Sequence, residues 1–395
     1  MVKSRWPAVL YKEEALRDGM QIEDAAIPVE EKVRLLDALS DTGLKWIAVG
    51  SFVSPRYTPQ MARIDEIVQR FTPRPGVKYT ALALNEAGVE RARQYVPPLT
   101  LEMDPHPRLV CHMCDVFARR NTNRSMRQEV EQWPQVVARA QERGITEAGM
   151  GLGAAWGSNF LGDFPVEWTV AMLERQHRLW DEAGIKVISV AFADPMSWCH
   201  PWKVEQTLAQ IKERWPEVRH FRLHLHNGRN MAVPSAYAAL RVLGPGDTLE
   251  LDGTIGGFGG CPYCGNGQTT GMAPTEDLLH MLEDMGVPTG VDMDRLVECA
   301  WMAESILGRR LYGHVSRAGP RPKRVAQLYD INMPFVETEE QARHFKLGPS
   351  TYKGGIYPWR EPIGSPFRER VERGLPAFEP EGDWPWSTEN FPIRS

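Results

Sequence analysis

The chain has 395 residues, of which 42% are hydrophobic and 25% charged, a composition typical of a globular protein with a full core. Its formal net charge of −5 argues against nucleic acid or an anionic membrane as the main partner. No run approaches the ~18 apolar residues that span a bilayer. The N-terminal residues lack the apolar stretch of a signal peptide, and six cysteines in so long a chain do not make a disulfide framework, so we expect a cytoplasmic protein with reduced thiols.

Short apolar segments alternate with longer amphipathic ones, which predicts strands and helices in turn. The predicted strands cover residues 8–16, 45–53, 77–84, 108–115, 147–155, 185–194, 220–227 and 248–257. The predicted helices cover residues 28–43, 60–71, 85–95, 124–144, 166–183, 201–215, 231–244 and 274–286. Pro28 is expected to open the first helix and Gly43 to close it, whereas the fourth helix is expected to continue through Pro134.

Eight strand–helix units of this length indicate an α/β protein with a (β/α)8 barrel. The competing architecture is a doubly wound open sheet, which a glycine-rich turn after the first strand would favour. The sequence "RDGMQ" (17–21) stands in that place instead. Residues 299–395 contain many prolines and tryptophans and have weak periodicity. The predicted organisation is a catalytic barrel over residues 1–298 and a C-terminal helical and irregular extension over residues 299–395.

Polar residues occur where the predicted strands end, and barrel enzymes carry their chemistry on the loops at that end. These residues are Arg17 and Asp18 after strand 1, Asp115 after strand 4, Asp194 after strand 6, and His224 and His226 after strand 7. His224 and His226 point the same way because side chains alternate along a strand. With Asp18 from a nearby strand they predict a three-ligand site for Mn, Mg, Fe, Co or Zn. Alternatively, one histidine caps strand 7 and the other is a hydrogen-bonded core residue.

Residues 253–271 are rich in glycine, which is typical of a mobile lid, and they lack the residue order of a phosphate-binding loop. Within them Cys261 and Cys264 form a C-x-x-C motif. A redox dithiol would be expected near the start of the chain, and a four-thiolate zinc site would need the distant pair Cys111 and Cys114. A single thiol over the active site, acting as a proton donor or acceptor, fits the position after strand 8 better.

Several separate segments resemble the 3-hydroxy-3-methylglutaryl-CoA (HMG-CoA) lyase family, within the metal-dependent (DRE-TIM) barrel lyases and condensing synthases. The segments are "LRDGMQ" (16–21), "SFVSPRYTPQM" (51–61), "HLHNGRNMA" (224–232), "GFGGCPY" (257–263) and "APTEDLLHMLEDMGVPTGV" (273–291). They follow the family's order across nearly the whole barrel. The resemblance implies that Asp18, His224 and His226 bind a divalent cation, that Arg17 stabilises an enolate, and that Cys261 transfers a proton.

The same resemblance implies roles for three more polar residues. Glu13 and Gln21 fall on polar positions of the family motif, and we expect Glu13 to be catalytic and Gln21 to contact the substrate. Asp194 ends strand 6 in the sequence "FADP" (192–195), where the family has a "GDT" type of strand end. We expect Asp194 to contact the substrate as well.

The chain departs from the family pattern at positions that bear on the site. Ala48 stands where the family has a carboxylate, three residues before "SFVSP". Met272 stands where the family has an asparagine as the fourth metal ligand. Asn266, six residues earlier in a longer loop, is the candidate that would replace this ligand. These departures indicate that the metal and the carbon–carbon chemistry persist while the native substrate can differ from HMG-CoA.

The predicted activity is cleavage of a carbon–carbon bond in a 3-hydroxyacyl substrate similar to HMG-CoA, by retro-aldol or retro-Claisen chemistry through an enolate. One alternative is a condensing synthase of the isopropylmalate or citramalate type, and another is a non-catalytic barrel subunit. The predicted cofactor is Mg or Mn, with Zn or Co as alternatives. The predicted partners are a small-molecule substrate, with a CoA thioester as the form the resemblance implies, and a second copy of the chain in a homodimer, without nucleic acid or membrane.

Overall fold

The structure is a computed structural model that describes residues 5–83, 86–101, 106–265 and 271–323. The chain divides into two compact units, the first ending at Gly313 and the second beginning at His314. In the second unit the described residues include one short helix, Val315–Ala318.

Eight parallel strands form one sheet in the first unit. They are β1 (Ala8–Glu13), β2 (Trp46–Ser51), β3 (Lys78–Leu82), β4 (Arg108–His112), β5 (Glu147–Gly153), β6 (Lys186–Asp194), β7 (His220–Leu225) and β8 (Thr248–Gly253). Their order in the sheet is β3-β2-β1-β8-β7-β6-β5-β4, so the first strand pairs with the last one, from Ala8 opposite Thr248 to Glu13 opposite Gly253. Strands that are consecutive in the chain are neighbours from β1 to β3 and from β4 to β8, and helices alternate with them, so the predicted (β/α)8 barrel is confirmed.

Helices follow the strands and cover the outside of the sheet. They are α1 (Val29–Ser40), α2 (Ile64–Arg70), α3 (Glu86–Arg93), α4 (Asp115–Thr122), α5 (Met126–Glu131), α6 (Trp133–Glu142), α7 (Val166–Glu182), α8 (Pro201–Arg214), α9 (Ala232–Val242), α10 (Thr275–Asp284) and α11 (Met293–Leu307). α1 begins directly after Pro28, and Gly43 follows it with a φ of +91°, as the sequence predicted. α11 contains the predicted domain boundary between residues 298 and 299, and that division stays a prediction.

The region after β4 differs from the sequence prediction. The predicted helix over 124–144 is two helices, α5 and α6, and Pro134 lies in the first turn of α6. A proline ring clashes with the carbonyl of the preceding turn, whereas the first turn of a helix needs no N–H donor at that position. The predicted strand 4 ends early at His112, and Asp115 begins α4 instead of closing the strand. The Asp115 carboxylate accepts a hydrogen bond from the Met126 backbone N–H at 2.8 Å, which joins α4 to α5.

Alternate residues of the strands have different surroundings. In β7, Phe221 and Leu223 are fully buried in the hydrophobic core. Arg222 and His224 alternate with them, and these two polar side chains point to the other face. In β8, Leu249 and Leu251 belong to the same core. The core thus occupies the layer between strands and helices, and the polar residues face the barrel lumen.

Candidate metal and catalytic site

Three of the predicted ligands meet at the carboxyl ends of β1 and β7. Asp18, His224 and His226 each present one ligand atom, and these atoms lie within 4.8 Å of one another. Nε2 of His224 is 3.8 Å from Oδ2 of Asp18, and Nε2 of His226 is 3.7 Å from Oδ1 of Asp18. The two histidine rings stand edge to face with their centroids 5.3 Å apart. The structure therefore brings together the two strand ends that the sequence predicted to converge.

The residues of this cluster fit a divalent cation. Separations of 3.7 and 3.8 Å are too long for hydrogen bonds and leave room for one ion between the donors. Oδ1 of Asp18 is buried and has no hydrogen-bond partner among the described residues. A buried carboxylate oxygen without a partner is costly, and a cation would satisfy it. Two imidazole nitrogens and one carboxylate are a donor set that Mg, Mn, Zn and Co all accept.

The turn that carries Asp18 is held by the loop after β8. Residues Ala15–Gly19 form one turn of π-helix, a geometry that often occurs at functional sites. A Cβ on Gly19 would lie 2.7 Å from Cε2 of Phe258, and a Cβ on Gly259 would lie 2.6 Å from the Cα of Gly19. Both positions must therefore be glycine for the two loops to touch, which explains the glycines in "RDG" and "GGFGG".

Arg17 is held in place by a carboxylate that the sequence analysis did not single out. Its Nε donates a hydrogen bond to Glu14 at 2.6 Å, and its Nη1 donates one to Oδ2 of Asp18 at 2.8 Å. Lys12 lies 2.8 Å from the other oxygen of Glu14. Burial opposes ionisation of Glu14, yet Arg17 and Lys12 lower its pKa to about 2. The adjacent charges in "YKEEALRD" (11–18) at the end of an apolar strand were the available signal for Glu14.

Asp252 is a second carboxylate that the sequence analysis missed. Its Oδ2 is 2.8 Å from Nδ1 of His224, and the residue is 2% exposed. Burial opposes ionisation of Asp252, yet Arg222 and Lys12 keep its pKa well below the ordinary value. The alternation of acidic and apolar residues in "LELD" (249–252) was the available signal, because residues at every second position of a strand share one face. Charged residues on such a face lie toward the lumen of the barrel.

Glu13 and Gln21 both lie at this rim. Oε1 of Glu13 accepts hydrogen bonds from the backbone N–H of Ala15 at 2.9 Å and of Ile255 at 3.0 Å, so Glu13 joins the π-turn to the loop after β8. Burial raises the pKa of Glu13 to about 7. Gln21 donates to Oδ2 of Asp18 at 3.1 Å. The catalytic role of Glu13 and the substrate contact of Gln21 stay predictions.

Asp194 ends β6 with a completely buried carboxylate. It accepts hydrogen bonds from the backbone N–H of Trp198 at 3.0 Å and of Cys199 at 2.6 Å, and burial raises its pKa. Asp194 thus shapes the loop after β6, and its predicted contact with the substrate stays a prediction.

The glycine-rich loop reaches across the barrel mouth to the opposite rim. Arg120 on α4 donates to the carbonyl of Tyr263 at 2.9 Å, and Asn159 donates to the carbonyl of Cys264 at 2.9 Å. Cys261 is buried, at 6% exposure, and packs in an apolar cluster with Cys264 and with Cys114 from the start of α4. The two C-x-x-C motifs therefore approach each other, contrary to the separation expected from their strands.

The four thiols of the two C-x-x-C motifs do not form a zinc site. Cys111 packs into the main core, apart from the other three. In the described ranges, the one group of histidine, cysteine and acidic residues that could hold a metal is Asp18, His224 and His226. Cys264 donates from its Sγ to the carbonyl of Pro195 at 3.3 Å, and burial raises the pKa of this thiol.

Two of the departures from the family pattern can be placed. Ala48 lies on β2 and is buried. Met272 is fully buried and its backbone pairs with that of His226, so it lies beside the cluster where the family has its fourth ligand. Asn266 lies outside the described residues, and its role as a metal ligand stays a prediction.

A parallel barrel with a carboxylate and two histidines at the carboxyl ends of its strands, next to a partly buried guanidinium, is the arrangement of a barrel enzyme that could hold a divalent metal. The HMGL-like family model matches residues 9–302, and the chain belongs to this family. The (R)-citramalyl-CoA lyase of Chloroflexus aurantiacus is 32% identical over 79% of this chain and 95% of its own length. A hydroxymethylglutaryl-CoA lyase of Bacillus subtilis is 31% identical over 77% of this chain and 94% of its own length.

Solved structures agree with this assignment. An HMG-CoA lyase of Acinetobacter baumannii in complex with coenzyme A and 3-methylmalate superimposes with a TM-score of 0.63 at 27% identity, covering 82% of this chain and 98% of that one. The predicted resemblance to HMG-CoA lyases is confirmed, and so is the class of carbon–carbon lyase against the condensing-synthase alternative. No helix in the described part of the chain is long and apolar enough to cross a membrane.

Proposed function

We propose that the protein cleaves a 3-hydroxyacyl-CoA thioester of the HMG-CoA type between carbon 2 and carbon 3. A general base takes the proton of the 3-hydroxyl, whose oxygen becomes the carbonyl oxygen of one product, while the electron pair of the broken bond forms the enolate of the other. Protonation of carbon 2 then yields the product thioester. The observation that carries this proposal is the position of Arg17, bonded to Asp18 beside His224 and His226 at the barrel mouth.

The cluster Asp18, His224 and His226 would hold the cation, which as a Lewis acid would polarise the oxygens of the substrate. Mg, Mn, Zn and Co all accept this donor set, and we propose Mg or Mn, with Zn or Co as alternatives. Arg17 would stabilise the developing enolate, and one well-placed donor of this kind typically contributes ~3–4 kcal/mol. Glu14 keeps the guanidinium in position at 2.6 Å, so little reorganisation is needed when the charge develops.

Cys261, which belongs to the glycine-rich lid over residues 253–271, would deliver the proton to carbon 2. Its thiol is buried in the apolar cluster, where bulk water does not compete for the enolate. The contacts of Arg120 and Asn159 with the lid hold it across the mouth of the barrel. In this position the lid would exclude water during the reaction and open for product release.

The acyl group of the substrate is the finer part of the proposal. HMG-CoA is the first candidate, because the segments that carry the site residues resemble those of the HMG-CoA lyases. These segments are "LRDGMQ" (16–21), "HLHNGRNMA" (224–232) and "GFGGCPY" (257–263). (R)-Citramalyl-CoA is the second candidate, because one relative at 32% identity acts on it by name. Ala48 and Met272 depart from the family pattern, and Met272 pairs with His226 beside the cluster, so the acyl group can differ from that of HMG-CoA. Both compounds therefore belong in the first assay.

The deciding experiment is mass spectrometry of the products formed by purified protein loaded with Mn²⁺ or Mg²⁺. HMG-CoA should give acetoacetate and acetyl-CoA, and citramalyl-CoA should give pyruvate and acetyl-CoA. His226→Ala is the matched control and should lower turnover by more than about 100-fold, because it removes a ligand rather than a supporting group. Absence of both metal binding and turnover in the wild type would contradict the proposal.

The oligomeric state, the location in the cell and the C-terminal region lie outside the candidate site. We propose a homodimer located in the cytoplasm, with residues 299–395 as an extension of the barrel. Sedimentation of the full chain tests the homodimer, and limited proteolysis tests the division of the chain.

A further inference from the structure

Charged and polar side chains follow one another along the lumen face of β7 and β8. They are His220, Arg222 and His224 on β7, and Glu250 and Asp252 on β8. The two strands are parallel neighbours, and Glu250 lies opposite Arg222 in their register. Barrel interiors are usually filled by branched apolar residues, so a lumen face of this kind calls for an explanation.

The side chains form a continuous ladder that ends at the metal cluster. His220 Nε2 lies 3.3 Å from Glu250, and Arg222 Nε lies 3.1 Å from the other oxygen of Glu250. Arg222 Nη2 then donates to Oδ2 of Asp252 at 3.0 Å, and the same oxygen is 2.8 Å from Nδ1 of His224. The ladder therefore ends in a carboxylate that lies between a partly buried guanidinium and a candidate metal ligand.

The contact with Asp252 bears on which nitrogen of His224 carries a proton when the ring is neutral. An ionised carboxylate can only accept hydrogen bonds, so Nδ1 of His224 must be the donor. The lone pair of the neutral ring is then on Nε2, the atom that lies 3.8 Å from Asp18. Carboxylates that bind the second nitrogen of a metal-ligating histidine orient the ring and select its tautomer in this way.

We propose that Asp252, anchored by Arg222, is a positioning residue that keeps Nε2 of His224 free of its proton and directed at the cation. This inference rests on the proposed function, because binding of a cation by His224 is part of that function. It predicts that a change at Asp252, which contacts His224, affects the proton position and metal binding of His224 most. Glu250, one rung further from the cluster, holds Arg222 and does not touch His224.

The experiment compares Arg222→Met with Arg222→Met/Asp252→Leu. Both variants lack the guanidinium, so the comparison isolates the loss of the Asp252 acceptor and leaves no unpaired arginine beside Leu at position 252 in the second variant. Asp252→Asn retains an acceptor oxygen and serves as the conservative variant. Glu250→Gln is the matched control on the same strand. Thermal unfolding of each protein establishes that it is folded before the two readouts below.

The first readout is the tautomer of His224 in the metal-free protein, measured at pH 8 by ¹H–¹⁵N correlation on ¹⁵N-histidine-labelled protein. The chain contains 10 histidines, and His224→Gln assigns the signal. We expect the Nδ1–H form in the wild type, Glu250→Gln, Asp252→Asn and Arg222→Met. The double variant should change to the Nε2–H form, which an unconstrained imidazole prefers.

The second readout is the dissociation constant for Mn²⁺, measured by calorimetry. We expect an increase of about 10- to 100-fold in the double variant relative to Arg222→Met, and an intermediate increase in Asp252→Asn. An unchanged tautomer together with unchanged Mn²⁺ affinity in the double variant would overturn the inference. Failure of the wild type to bind Mn²⁺ would contradict the proposed function instead, and the metal-free tautomer would still decide the role of Asp252.

Discussion

The two sides of the barrel lumen are built on different principles. On β7 and β8 the lumen face carries paired charges, such as Arg222 and Asp252 at 3.0 Å. On β5 the corresponding face carries Gly149, Gly151 and Gly153. One side therefore supplies donors and acceptors to the site, and on the other side β5 supplies no side chains of its own at these three positions.

The glycines of β5 make room for the side chains of the neighbouring strand. A Cβ on Gly151 would lie 2.9 Å from Cδ of Arg108, and a Cβ on Gly153 would lie 2.3 Å from Cδ2 of His112. His112 in turn is 2.8 Å from Glu129 through its Nδ1. The β5 side is thus sensitive to added volume, whereas the β1, β7 and β8 side is sensitive to changes of charge and hydrogen bonding.

The largest effect is expected from Asp18→Asn on the charged side. The amide keeps the volume but removes the negative charge that attracts the cation. Turnover should therefore fall by more than about 100-fold, and the affinity for Mn²⁺ should fall with it. Calorimetry and product analysis measure the two effects. Unchanged Mn²⁺ affinity would show that the cation does not bind at Asp18.

Glu14→Gln should have the second largest effect and should separate Arg17 from the metal cluster. We expect kcat to fall about 10- to 100-fold because the guanidinium loses its fixed partner, while Mn²⁺ affinity changes less than about threefold. Steady-state kinetics and calorimetry measure the two quantities. Glu31→Gln, which removes an exposed pair with Arg34, is the control and should leave both unchanged. An equal loss of metal affinity and kcat would contradict this separation.

Gly153→Ala tests the β5 side by volume alone. The added methyl group must displace the ring of His112 from Glu129, and we expect a loss of about 1–3 kcal/mol in the free energy of unfolding. Gly244→Ala is the matched control, because nothing lies within 4 Å of the Cβ it would add. Urea unfolding compares the two variants. Equal stability of both proteins would show that the lumen beside β5 tolerates side chains.

Glu276→Gln should have the smallest effect on turnover and should change the pH dependence of stability. Burial raises the pKa of Glu276 to about 8 from an ordinary value of 4.5. The folded protein therefore holds a proton that the unfolded chain releases, and the stability from this group is lost as the pH rises from 4.5 through about 8.

The glutamine has no proton to lose, so the Tm of the variant minus that of the wild type should rise with pH, by about 2–4 °C at pH 8. Calorimetric scans between pH 4.5 and pH 8 measure this difference. Glu131→Gln, which removes an exposed pair with Arg127, is the control and should show no such trend. A pH-independent difference for Glu276→Gln would contradict the buried, protonated carboxyl.

Much of the fold followed from periodicity. All eight strands occur within or close to the predicted segments, because alternation of strands and helices is a local property. The errors lie where a single residue interrupts a pattern. Pro134 divided a helical pattern that looked continuous, and the helix at Asp115 followed a strand that ended three residues early.

The candidate site was only partly visible in the sequence. His224 and His226 could be grouped because they share one strand, and Asp18 could be added from the motif around Arg17. Glu14 and Asp252 could not be recognised in the same way, since charged residues in a strand are informative only once the lumen face is known. The approach of Cys264 to Cys114 depends on the path of the lid across the barrel mouth.

The sequence by itself determined the barrel, the order of its motifs and the three residues of the candidate metal site, because these depend on local periodicity and on strand ends that a closed barrel must bring together. Only the tertiary structure decided which carboxylate holds which side chain of the candidate site. Glu14 holds Arg17, which is close in sequence, but Asp252 holds His224 from a different strand. Contacts of the second kind depend on register and side-chain direction between strands, which no local pattern encodes.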